Sequence, residues 1–289
     1  MTIMYFTIGD SLDMYVQAFL SIESFKRQIG ESDVIVAVTT NPDFFKGLDY
    51  VKTVVIDYDT VTEWRGEHDF FWRTKIKAME RVLALYHDDD LVYLDCDTFL
   101  YGDVNEMKRL LNSGCGLMDG NDGHPSRIKY KPQRMYKKVG GRTYAGITIS
   151  EKHDMWCAGV VAIPREKSRA VLETALSICD GMLDDGAEPI VVEQYSLSVA
   201  MYENTRLTSS KPYVAHYWSN KSQWIEIAKD MMAKSMLTKA NFVDEIDAFI
   251  ASSIKSVPVY VKKHNTNRKL KSLVDKYFGD DSQQYVEGV

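Results

Sequence analysis

No stretch of this chain approaches the roughly 18 consecutive apolar residues that a membrane-spanning helix needs. Its start, from Met1 to Asp10, lacks a basic segment, a long apolar core and a small-residue cleavage site, so no leader is expected. Cysteine is scarce: Cys96, Cys115, Cys157 and Cys179 are the four in 289 residues, and no two form a C-x-x-C pair. That excludes a disulfide framework and predicts reduced, mostly buried thiols in a cytoplasmic protein. Positive charge is not in excess either, with 35 basic side chains against 41 acidic ones for a net −6. A wholesale cationic nucleic-acid binder is thereby excluded, while a local basic patch stays open. There is no repeat of 20–50 residues and no low-complexity tract. What remains is ordinary globular material, 45% hydrophobic and 26% charged. The length suits one large domain, or one domain with an appendage, around a sizeable core.

The N-terminal half alternates strand-like and helix-like segments. Met4–Ile8, Val34–Val38, Val51–Ile56 and Leu91–Leu94 are short apolar runs that read as strands. Val16, Phe19, Leu20, Ile22, Phe25 and Ile29 recur at helical spacing, as do Ile76, Met79, Val82, Leu83 and Tyr86 within Arg73–Tyr86. Apolar strands separated by helices predict a mostly parallel sheet flanked by helices, with ligands at the carboxyl ends of its strands. Further on, Trp156–Ile163 and Pro212–Tyr217 read as strands, and Arg165–Cys179 and Val191–Tyr202 as helices. From Gln223 the pattern is helical to about Phe278, broken near Ser256-Val257-Pro258, with a polar tail. Residues 121–150 stand apart. They carry Arg127, Lys129, Lys131, Arg134, Lys137, Lys138 and Arg142 against Asp122 alone, a local charge of +6 that leaves −12 elsewhere. Rich in glycine and proline, the segment reads as a long loop or irregular insertion, and such loops are usually functional or disordered.

The sharpest chemical signal is Leu91-Val92-Tyr93-Leu94-Asp95-Cys96-Asp97. An apolar strand ends in two carboxylates two residues apart, and a bend after Leu94 is needed for both to face one ligand. Converging carboxylates repel unless a cation lies between them, and hard divalent ions such as Mn²⁺ or Mg²⁺ take oxygen ligands and bridge to phosphates. An Asp-x-Asp after a strand also opens the haloacid-dehalogenase-like phosphatases, but there it lies near the N-terminus with Thr or Val four residues after the first Asp. Here that position is Phe99, and the motif lies deep in the chain.

Four more segments accompany the motif: Phe71-Trp72-Arg73-Thr74-Lys75, Trp156-Cys157-Ala158-Gly159-Val160, Val192-Glu193-Gln194, and His216-Tyr217-Trp218-Ser219-Asn220-Lys221-Ser222-Gln223-Trp224. With them, residues 1–225 resemble the GT-A glycosyltransferases, and the last segment resembles the closing His-x-x-Gly-x-x-Lys-Pro-Trp of the glycogenin-like retaining family. Lys221 stands one place early, Ser219 replaces Gly, Gln223 replaces Pro, and Cys157 replaces the Asn of an aromatic-Asn-Ala-Gly-Val strand.

The resemblance implies a Rossmann-like nucleotide-diphospho-sugar transferase fold over residues 1–225. Residues 121–150 are then an acceptor-side insertion and residues 226–289 a helical C-terminal extension. It implies Asp95, Asp97 and His216 as ligands of Mn²⁺ or Mg²⁺, and Lys221 on the donor diphosphate. Arg73 and Lys75 are expected near the nucleotide, with Thr7, Asp10 and Asp57, at strand ends, on its base and ribose. Glu193 and Gln194 are expected beside the reacting sugar. Glu193 would be the base of an inverting reaction, or would orient the sugar in a retaining one. The implied activity is transfer of a hexose from a nucleoside diphosphate, UDP most often, to a hydroxyl of a glycan or lipid-linked glycan, in the cytoplasm or at a membrane surface. Tyr130, Tyr136 and Tyr144 among the bases of 121–150 leave a hydroxylated base in DNA as an alternative acceptor. A metal-dependent phosphatase or nucleotidyltransferase, and a binding protein without turnover, are the readings from other classes. Lys262, Lys263, His264, Arg268, Lys269 and Lys271 read as a solvated basic face.

Overall fold

The computed structural model describes residues 1–262 and Leu273. The expected continuation of helix to Phe278, the polar tail and the basic face beyond Lys262 lie outside the described residues.

The chain runs β1 (Thr2–Thr7), α1 (Leu12–Lys26), β2 (Val34–Thr39), β3 (Val51–Val55), α2 (Tyr58–Trp64), α3 (Arg73–Leu85), β4 (Leu91–Leu94), β5 (Thr98–Leu100), α4 (Val104–Asn112) and β6 (Cys115–Met118). Then come β7 (Asn121–Gly123), α5 (Lys131–Val139), β8 (Thr143–Tyr144), β9 (Ile147–Thr148), β10 (Met155–Trp156), β11 (Val160–Ile163) and α6 (Arg165–Asp184). The described chain closes with α7 (Val192–Asn204), β12 (Arg206–Ser209), β13 (Val214–His216), α8 (Lys221–Thr238) and α9 (Phe242–Ser252).

Seven strands form one sheet in the order β12-β6-β11-β4-β1-β2-β3. All neighbours are parallel except β11, which runs antiparallel to both β4 and β6. This is the mostly parallel, helix-flanked α/β sheet expected from the sequence. Strand alternation splits the core into two layers. Met4, Val36, Val38, Tyr93, Val161 and Ile163 face helices α3, α6 and α7. Ile3, Tyr5, Ile35, Ala37, Val92, Leu94, Val160 and Ala162 face α1 and α4. Strands buried on both sides explain why they read as unbroken apolar runs.

A third apolar layer covers the outer side of α1. Val16 and Leu20 of α1 pack with Phe99 of β5, Tyr217 and Trp224, and with Ile246 and Phe249 of α9. Trp224 is fully buried, with its ring stacked on Tyr217 at 4.5 Å. Helix α8 runs through residue 225, the boundary expected between catalytic core and extension, and the described part of that extension packs on α1.

Residues 121–150 are not one long loop. They hold α5 and a small β8–β9 hairpin, and β7 pairs with β10. Helix α5 is amphipathic: Pro132 stands at its start, Met135 and Val139 are buried, and the lysines face solvent. The expected strand Trp156–Ile163 is likewise divided. Cys157 donates its amide to Gly120 O at 2.8 Å, and the sheet pairing of β11 resumes only at Val160.

Candidate metal centre

Two strand pairings deliver the Asp-x-Asp and the histidine to one point. After β4 the chain turns, with Thr98 Oγ1 donating to Asp95 O at 2.8 Å, and enters β5. Strand β5 pairs antiparallel with β13, so that His216 lies opposite Thr98, next to Asp97. On the other side, Asp95 N donates to Gly159 O at 2.8 Å, which brings the turn before β11 under the same spot. The bend that two converging carboxylates require is therefore present. One carboxylate oxygen each from Asp95 and Asp97 and a ring nitrogen of His216 lie within 4.8 Å of one another.

Several neighbours hold these groups in place. Asp95 Oδ1 accepts from Tyr93 OH at 2.6 Å and lies 3.4 Å from Lys75 Nζ. Asp97 Oδ2 pairs with Lys221 Nζ at 2.9 Å. His216 Nδ1 is 3.0 Å from Asp119 Oδ2. His216 Nε2 is buried without a hydrogen-bond partner, 3.6 Å from Asp97 Oδ2 and 3.9 Å from Asp95 Oδ2, and Asp97 Oδ2 is likewise buried with only its ion pair to Lys221. A buried nitrogen in that state carries a cost unless something fills the space before it. Two carboxylate oxygens and a neutral imidazole form a suitable donor set for Mn²⁺ or Mg²⁺, so the residues present fit the ion.

The electrostatics agree. Burial pushes the Asp97 carboxyl up, but His216 and Lys221 outweigh it and hold Asp97 well below the usual carboxylate range. Burial pushes the His216 imidazole down, yet Asp119 and Asp97 raise it well above its ordinary value. Positive charge is favoured between these groups, whether carried by a proton or by a metal ion competing for the same place.

The cluster opens into a cavity of about 1070 Å³. Asp95, Asp97, His216, Lys75, Lys221 and Gln194 line it. Phe6, Ile8, Phe71 and Trp72 form an apolar wall at the end of β1, and Trp218 and Tyr260 form another beside the start of α8.

The remaining sequence candidates are distributed as follows. Lys75, 4% exposed, is an ionic bridge: its ammonium lies 3.1 Å from Glu193 Oε1 and 3.4 Å from Asp95 Oδ1. Burial pushes that ammonium down, but Asp95 and Glu193 more than offset it, so it stays charged. Glu193 is thus buried behind Lys75, whereas Gln194 reaches the cavity and donates to Asp122 Oδ2 at 3.2 Å. Arg73 turns away, clamping Asp180 at 2.7 Å and 2.9 Å and donating to Trp64 O. Thr7 is fully buried with an unpartnered hydroxyl, Asp10 accepts from Asn41 Nδ2, and Asp57 caps α2 through Thr60 N. None of these last four lines the cavity.

Asp119 at this centre was not among the sequence candidates. Asp119 follows Cys115-Gly116-Leu117-Met118 as Asp95 follows β4, so an apolar run ending in a carboxylate was the signal. Gly159 lies in the Trp156–Val160 segment singled out from the sequence, where it had no assigned role. A β-carbon there would stand 2.1 Å from His216 Cε1 and 2.3 Å from Nδ1, so the imidazole lies directly on the glycine backbone.

No family model and no curated protein sequence matches the chain. Among solved structures it is similar to galactosyltransferase LgtC in complex with donor and acceptor sugar analogues, at 10% identity over 73% of this chain and 74% of that one, with a TM-score of 0.47. An active-site mutant of LgtC gives 10% identity, 73% of each chain and 0.48. Mouse xyloside xylosyltransferase 1 in its apo form gives 12% identity, 72% of this chain, 83% of that one and 0.43.

Proposed function

We propose that this chain is a metal-dependent glycosyltransferase of the GT-A type. It would move a hexose from a nucleoside diphosphate, UDP foremost, to a hydroxyl of a glycan or lipid-linked glycan. The observation that carries the reading is the convergence of Asp95, Asp97 and the unpartnered His216 Nε2 on the wall of one cavity, with Lys221 beside them.

Asp95, Asp97 and His216 would hold Mn²⁺ or Mg²⁺, which when bound neutralises charge on a diphosphate. Lys221, half-exposed at the start of α8, is placed to grip the same diphosphate as a point charge. Its ammonium is then best used as charge grows on the departing phosphate. The bond from the anomeric carbon to the phosphate oxygen breaks, and the nucleoside diphosphate leaves with the electron pair. A bond forms to the acceptor oxygen, whose proton passes to the departing phosphate. Glu193 is tied to buried Lys75, so it positions Asp95 through that lysine rather than acting as a free base. A retaining outcome fits this arrangement. Gln194, on the cavity wall, is placed to orient the sugar.

The test is the melting temperature of wild type and Asp97→Ala against a panel of nucleotide-sugars, with and without Mn²⁺. A ligand that binds only the folded state raises the midpoint by mass action. One donor should stabilise the wild type in the presence of Mn²⁺ and fail to stabilise Asp97→Ala. A shift indifferent to Mn²⁺ and to Asp97, or no shift with any donor, overturns the proposal.

A further inference from the structure

The other ring nitrogen of His216 faces a second set of donors. Cys157 Sγ is 3.5 Å from His216 Nδ1, and Asp119 Oδ2 is 3.0 Å from it. One ligand atom from each of the three side chains lies within 4.8 Å of the others. The frame that holds them is backbone: Asp119 N donates to Cys157 O at 3.2 Å and Cys157 N to Gly120 O at 2.8 Å, so the ends of β6 and β10 are locked side by side. The imidazole is fixed in turn by Gly159 beneath it.

The Cys157 Sγ–His216 Nδ1 separation is that of neighbouring ligands around one tetrahedral ion, and the Nδ1–Asp119 Oδ2 pair, hydrogen-bonded at 3.0 Å, would open by a few tenths of an ångström to join them. With a metal–sulfur distance of about 2.3 Å and metal–nitrogen and metal–oxygen distances of about 2.0–2.2 Å, tetrahedral angles put neighbouring ligand atoms roughly 3.3–3.6 Å apart. A thiolate, an imidazole and a carboxylate make a softer set than two carboxylates and an imidazole, and it suits Zn²⁺ rather than Mg²⁺ or Mn²⁺. All three residues line the cavity, so a fourth position faces open space.

We propose that Asp119, Cys157 and His216 Nδ1 form a second cation site, selective for Zn²⁺, that excludes ion binding at the Asp95–Asp97–His216 Nε2 site. A neutral imidazole has one lone pair and one N–H. When Nε2 is the ligand, Nδ1–H donates to Asp119. When Zn²⁺ takes Nδ1, the ring proton resides on Nε2, the Cys157 thiol proton is released to solvent, and Nε2 is lost to the other ion. Zn²⁺ would therefore act as an inhibitor through one histidine with two faces. The inhibitory role rests on the glycosyltransferase reading; the site itself does not.

The test is spectroscopic. Titration of the full chain with Co²⁺ should produce one equivalent of a thiolate-to-cobalt charge-transfer band. The band should disappear in Cys157→Ser and persist in Cys96→Ser. Zn²⁺ should abolish it, and should weaken Mn²⁺ binding, followed by the Mn²⁺ electron paramagnetic resonance signal, by roughly tenfold or more in wild type but not in Cys157→Ser. A melting curve confirms that each variant is folded. Absence of the band in wild type, its survival in Cys157→Ser, or Mn²⁺ binding unaffected by Zn²⁺ overturns the proposal. Because the band needs no donor or acceptor, failure of sugar transfer with the band intact counts against the enzyme reading alone, and the converse against this site alone.

Discussion

At the scale of single residues, the centre depends on a side chain that is missing. Gly159 leaves the space that the His216 ring occupies, and an added methyl group would overlap three of its atoms within 2.6 Å. The backbone cannot yield easily, because Gly159 O holds Asp95 N. In Gly159→Ala the ring must swing, at an overpacking cost of about 1–3 kcal/mol. Mn²⁺ affinity measured by calorimetry should fall by roughly ten- to a hundredfold, as it does when a ligand's support is disturbed. Unchanged Mn²⁺ affinity in a folded Gly159→Ala protein would show that the ring position is not needed. Lys75 offers a second residue-scale expectation. Replacement by Met leaves Glu193 buried beside Asp95 with no counter-charge, and losing one partner of such a pair costs about 3–5 kcal/mol. Equilibrium unfolding in urea measures it, and a loss under 1 kcal/mol would mean the ionic bridge is not formed in solution.

At the scale of elements, the corner between α1 and β2 is tied to α4 by one carboxylate. Asp33 pairs with Lys108 of α4 and accepts from Gly30 N at 2.8 Å. Burial pushes its carboxyl up, but Lys108 and Gly30 outweigh that and leave it below its ordinary value. A depressed acid stabilises the fold above its unfolded-state pKa, and the gain is lost as pH falls through the folded-state value. The stability gap between wild type and Asp33→Asn should therefore be steady from about pH 7 to pH 5 and close toward pH 2–3. A gap independent of pH across that range, in urea titrations, would show that the pair does not respond to protonation.

The elements also show what a sequence discloses. Strand β4 and the carboxylates after it were legible because four fully buried residues precede a sharp change to Asp. His216 was legible by its distance to Lys221 and Trp224, even with Lys221 one place early. Strand β6 was not, since its four residues include Gly116 and Cys115 and show no β-branched run. Edge strand β12, Arg206-Leu207-Thr208-Ser209, has no apolar alternation, since none of its side chains is buried on either face. Helix α5 shows just two buried apolar side chains beyond its proline, too few to stand out among lysines. Arg73 and Lys75 looked equivalent in the sequence. Two positions apart on a helix they diverge by about 200°, so one meets Asp180 and the other Asp95.

At the scale of the whole molecule, the outer layer joins the two ends of the described chain. Trp224 is fully buried among Tyr217, Phe99 and Phe249, and its indole N–H donates to Pro258 O at 3.2 Å. Trp224→Ala should cost about 3–5 kcal/mol in unfolding free energy, and loosen the start of α8 that carries Lys221. Calorimetry and donor titration should move together; a stability loss with donor affinity intact would separate the layer from the site.

The same layer sets a timetable for synthesis. Val16 and Leu20 of α1 are covered by Phe99 and by side chains between Ala215 and Phe249. Roughly 200 residues separate the helix from most of its cover, on the order of 10 to 40 seconds of translation at about 5–20 residues per second. During that interval the emerging chain shows a greasy helix face with nothing to bind it. Until α8 emerges, that face is the part of the growing chain most open to non-specific association.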